Sequence, residues 1–64
     1  MKSHELRYKL GDAREHLMVL THYVADREQN SYLPKHEQMA ARKALDRCEA
    51  IKTLLDAIEA EVEA

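Results

Sequence analysis

The sequence predicts an all-α fold, an antiparallel two-helix hairpin, on three observations. Apolar residues recur every third or fourth position in each half of the chain, a cluster of turn formers separates the halves, and the ends that such a turn brings together carry opposite charges.

In the first half, Leu6, Leu10, Ala13, Leu17, Leu20 and Val24 alternate spacings of four and three, which is a heptad stripe. Placing Leu10, Leu17 and Val24 at a and Leu6, Ala13 and Leu20 at d puts Arg7, Lys9, Arg14 and His16 on the flanking e and g positions. This spacing predicts a helix from about 4 to 28 with a narrow, coiled-coil-like seam. Ser3 is suited to cap it, and Glu5 suits the positive end of the helix dipole. Gly11 argues against continuity, because glycine costs about 1 kcal/mol inside a helix and Asp12-Ala13-Arg14-Glu15 resembles a capping box for a new start. The heptad phase is unchanged across Gly11, so the helix is expected to run through it. Gly11 falls at b, where a missing side chain would admit a neighbour.

Residues 29 to 34, Gln-Asn-Ser-Tyr-Leu-Pro, collect the turn formers. Asn30 is expected to end the helix in a left-handed conformation and Pro34 to open the next one. A connection from Asn30 to Pro34 is short enough to make the helices antiparallel neighbours. The second stripe, Ala41, Ala44, Cys48, Ile51, Leu55, Ile58 and Val62, predicts a helix from about 35 to 62, and its interior has neither Gly nor Pro. Arg7, Lys9 and Arg14 then lie beside Asp56, Glu59, Glu61 and Glu63, while Ala41 and Ala44 face Leu20 and Val24 near the turn.

At 64 residues the chain, 1–64, is a single domain near the lower size at which one core suffices, so an additional source of stability is expected. The lone Cys48 rules out an internal disulfide, and a single thiol fits a reducing compartment. Met1 to Glu5 lack the apolar run of a signal peptide, and no segment approaches the roughly 18 apolar residues of a membrane span. A cytoplasmic protein with no membrane partner is expected. Met18, Val19, Tyr23, Met39, Leu45 and Leu54 fall off the stripes and widen the apolar faces. A homodimer forming a four-helix bundle would cover them. Tyr8, Val19, His22 and Tyr23 are alternatively a patch for an unidentified protein partner.

Residues with catalytic or ligating chemistry are sparse. Asp12 and His16 share a helix face as an expected solvated ion pair, and His4, His22 and His36 have no chelating neighbour at helical spacing. Cys48 sits on the stripe as a small buried apolar group and lacks the exposed, activated setting of a catalytic thiol. One glycine cannot build a phosphate-binding loop, and the expectation is no enzyme, no metal and no cofactor. Ten Lys and Arg against twelve Asp and Glu give a net charge of −2, and the absence of Trp and Phe leaves little to stack on bases. Lys35, Arg42, Lys43 and Arg47 form the basic cluster on which an alternative reading, a small dimeric nucleic-acid-binding regulator, rests.

In size, lone cysteine and uninterrupted hairpin pattern, from Ser3-His4-Glu5-Leu6 through Ala57-Ile58-Glu59-Ala60, the chain resembles small helical accessory proteins from early regions of temperate bacteriophages. That resemblance implies a non-enzymatic modulator that binds and redirects a host or phage protein.

Overall fold

A computed structural model describes residues 3–63, except for the side chain of Ser3, so the expected Ser3 cap lies outside what is described. Two helices pack against each other, α1 (Ser3–Gln29) and α2 (Lys35–Glu63). Both match the predicted spans to within one residue at each end. The hairpin measures 47 × 15 × 13 Å, the length expected of helices that rise about 1.5 Å per residue.

The turn works differently from expectation at Asn30. No described residue has positive φ, so Asn30 does not adopt the left-handed conformation. It stops α1 through its side chain, whose Oδ1 accepts a 2.9 Å hydrogen bond from the Tyr32 N–H, an Asx-type turn that needs no left-handed residue. The Asn30 carbonyl then accepts from the Leu33 N–H at 3.1 Å and from Gln38 Nε2. Pro34 immediately precedes α2, and its carbonyl accepts from the Glu37 and Gln38 N–H groups at 2.9 and 3.1 Å, completing the first turn.

The core is small: Leu10, Val24, Ala41 and Cys48 are buried. Around them Leu6, Ala13, Leu17, Thr21, Ala44, Leu45, Leu55 and Val62 are half-buried. Three residues expected on the seam are instead exposed, Leu20 at 49%, Ile51 at 44% and Ile58 at 41%. The cause is which flank of each stripe turns toward the partner helix. Leu10, Leu17 and Val24 in α1, and Ala41, Cys48, Leu55 and Val62 in α2, each seven residues apart, stay inside. The flank that joins them carries Arg14, Thr21 and Glu28 with Leu45 and Glu59 rather than Leu20, Ile51 and Ile58. Thr21 thereby takes the place expected of Leu20, and its hydroxyl donates to the Leu17 carbonyl at 2.7 Å, so a polar residue enters the seam with its hydrogen bond satisfied. Near the turn, Ala41 and Val24 are buried as expected, but Leu20 is exposed.

Gly11 also departs from its expected role. It lies in unbroken helix, and a Cβ built there would meet no atom within 4 Å. It faces open space and admits no neighbour.

Candidate interaction surfaces

At about 100° per residue, the two helices offer two broad faces on either side of their seam. The first carries Arg14, Met18 and His22 from α1 with Glu49, Lys52 and Asp56 from α2. The second carries Ala13 and Leu20 from α1 with Ala44, Ile51 and Ile58 from α2, flanked on its outer shoulders by Tyr23 and Leu54.

The first face is charged and clasped. Arg14 Nη2 lies 2.6 Å from both Asp56 Oδ1 and Glu59 Oε2, and Arg14 Nε donates to Glu59 at 2.9 Å. These bonds realise part of the expected attraction between the free helix ends; among the described residues, no ion pair joins Arg7 or Lys9 to Glu61 or Glu63. The Arg14 guanidinium is held above its ordinary range, first by its hydrogen bond to Asp56 and then by that to Glu59. The Asp56 carboxyl is held below the usual carboxylate range, first by Arg14 and then by Lys52, whose Nζ is 3.3 Å away. Both groups remain substantially exposed, so solvent and salt weaken the clasp. Between the clasp and the turn an open groove of about 340 Å³ runs along the seam. Leu17, Met18 and Thr21 form one wall, Cys48 the floor, and His22, Glu49 and Lys52 the rim. Cys48 is 3% exposed and its thiol is free, which agrees with its expected place as a small apolar group in the seam.

The second face is aliphatic. Leu20, Ile51 and Ile58 form a stripe beside the seam, with Ala13 and Ala44 keeping its centre low. The interhelix ion pair found on this side among the described residues is Arg27–Glu37 at 3.7 Å, close to the turn. The composition of these three positions was plain in the sequence, but their exposure was not, because the heptad assignment placed them inside.

The four candidate contact residues divide. Tyr8, 80% exposed, and Val19, 64% exposed, point away from α2 on the outer side of α1, and Tyr23 lies at the edge between that side and the aliphatic face. Tyr23 carries the Arg27 guanidinium 5.7 Å from its ring centroid, a contact worth about 0.5–1 kcal/mol at an exposed position. His22 stands apart from them on the groove rim.

The basic cluster divides as well. Lys35 and Arg42 lie toward the charged face, Lys43 and Arg47 toward the aliphatic one, all of them exposed. Arg42 is engaged by Glu28 at 3.3 Å and Asp46 at 3.4 Å. His16 and Asp12 form the expected solvated pair at 3.6 Å. Among the described residues, no three His, Cys, Asp or Glu side chains converge as metal ligands, and no helix is long and apolar enough to cross a membrane. No protein family, curated protein or solved structure matches this chain.

Proposed function

We propose that this chain is a non-enzymatic interaction module that self-associates as a homodimer with a four-helix core and engages a protein partner through the outer side of α1. The observation that carries the reading is surface left over by folding. The chain exposes 5244 Å², whereas a folded monomer of 7.4 kDa is expected to expose about 4,200 Å². Part of the roughly 1,000 Å² excess belongs to the elongated 47 × 15 × 13 Å shape. The surface also carries Tyr8, Met18, Val19, Leu20, Tyr23, Met39, Ile51, Leu54 and Ile58 exposed, more large apolar side chains than the four buried residues hold inside, and a covering partner would bury them.

Tyr8 and Val19 suit a target because they stand on a rigid helix, which loses little backbone freedom on binding, and because tyrosine buries a ring while satisfying its hydroxyl. Tyr23 and His22 extend that contact at either edge. The resemblance to phage accessory proteins fits a module that works by occupying or redirecting a host or phage protein in the cytoplasm. The nucleic-acid alternative has no favouring observation: its four cations do not share one face, and Arg42 is engaged by carboxylates.

Val19→Asp tests the partner half of the proposal. The variant is expected to keep wild-type helicity and melting while losing a protein that wild type retains from source-cell extract, confirmed by titration of that protein once purified. Unfolding of Val19→Asp, or undiminished retention, overturns the assignment of this face.

A further inference from the structure

We infer that the second copy covers the aliphatic face of Leu20, Ile51, Leu54 and Ile58, leaving the charged face with its groove, and the outer side of α1, open in the dimer. The inference rests on the homodimer proposed above and adds which side of the hairpin forms it. A standard stable interface takes about 800 Å² from each partner, a minor share of the 5244 Å² this elongated chain exposes, and one long side of the hairpin can supply it.

The distribution of charge decides between the faces. Covering the groove side would desolvate Arg14, Asp56 and Glu59 together with Lys52, and withdrawing such groups from water is seldom recovered by their attraction. The opposite side is crossed by the Arg27–Glu37 pair near its turn end and has the exposed Lys43 and Arg47 toward it, but among the described residues no ion pair lies along Leu20, Ile51, Leu54 and Ile58. Ala13 and Ala44 let a facing helix layer approach between the larger side chains.

The occupant is a second copy because each copy offers the same patch, and a twofold axis brings the aliphatic middle of one onto that of the other while the Arg27–Glu37 pair stays near the turn end and Lys43 and Arg47 can keep their charged ends in water. The orientation of the helices supplies the reason these residues are available. Leu20, Ile51 and Ile58 belong to the same apolar stripes as the core but lie on the flank turned out of the hairpin's own seam, so the stripes are wider than one partner helix covers.

The test compares thiol labelling across a dilution series of the full chain, in a Cys48→Ala background carrying either Leu20→Cys or Met18→Cys, with mass followed by light scattering. Maleimide labelling of Leu20→Cys is expected to slow as the chain associates, while Met18→Cys labels equally fast throughout. Protection of Met18→Cys, or equal labelling of Leu20→Cys in the associated state, overturns the face assignment and leaves the dimer standing. A wild-type chain that stays monomeric at every concentration overturns the homodimer itself. Ile58→Glu is expected to raise the dissociation constant by at least about a hundredfold, and Met18→Glu to leave it unchanged. Ile58→Glu that associates like wild type overturns the face assignment independently of the labelling.

Discussion

Replacing Gly11 by alanine should stabilise the protein, and the size of the gain follows from the geometry. Gly11 lies deep inside α1, its φ is negative, and a Cβ there meets nothing within 4 Å. No clash opposes the substitution and no packing rewards it, so the change isolates helix propensity, about 0.8–1 kcal/mol per chain. For a domain of this size that corresponds to a melting temperature higher by about 4–8 °C. A homodimer that dissociates on unfolding gains the increment twice, about 2 kcal/mol per dimer. Urea titrations followed by far-ultraviolet circular dichroism, at one fixed protein concentration, measure it; the midpoint should rise and the slope stay constant. A lowered midpoint would mean that the methyl meets a neighbour, such as a second copy on that side. An unchanged one would mean that α1 is already broken at Gly11 in solution.

Acid should weaken the clasp through Asp56. Its carboxyl titrates below the ordinary range, so the folded state binds its proton less readily than the unfolded chain does. The stabilisation is complete above about pH 4 and is lost as pH falls through the depressed value. Asp56→Asn should therefore flatten the acid limb of a stability–pH curve below about pH 4, and an unaltered limb would show that the Arg14 bonds do not persist in solution. Cys48, at the groove floor, should react with a thiol reagent far more slowly in the native protein than in urea; equal rates would place the thiol in open solvent.

The hairpin was legible because its signals agree across levels. Apolar spacing, helix-forming composition and one turn cluster all specify two helices, and Arg14 with Asp56 and Glu59 fixes their antiparallel sense. Seam membership was less legible. Strict alternation of three and four marks Leu20, Ile51 and Ile58 as interior, but a pattern of spacings does not say which flank of a stripe a single partner helix will cover. Thr21 does not stand out as a seam residue in the sequence, because its polarity conceals how readily the Leu17 carbonyl satisfies it. Asn30 marks the place of the turn in the sequence but not its device, since its side-chain oxygen and its tolerance of positive φ both recommend it for turns. Of the site, Tyr8, Val19 and Tyr23 could be found by projecting the helix. The same projection separates Lys35 and Arg42 from Lys43 and Arg47, whereas the pairing of Arg42 with Glu28 depends on the other helix and is not legible in the sequence of α2.

The unbroken course of α1 and α2 also bears on how such a protein can change over generations. One residue inserted between Ala13 and Leu20 would turn everything beyond it by about 100°, carrying aliphatic residues toward the charged side and charges toward the greasy one. Substitutions on these faces are graded, whereas a single-residue length change within a helix scrambles both at once. Natural variants should therefore gain or lose residues in the turn at 30–34, at the ends, or in steps near a full helical turn. Length, more than the identity of any one side chain, is the trait that inheritance must hold constant here.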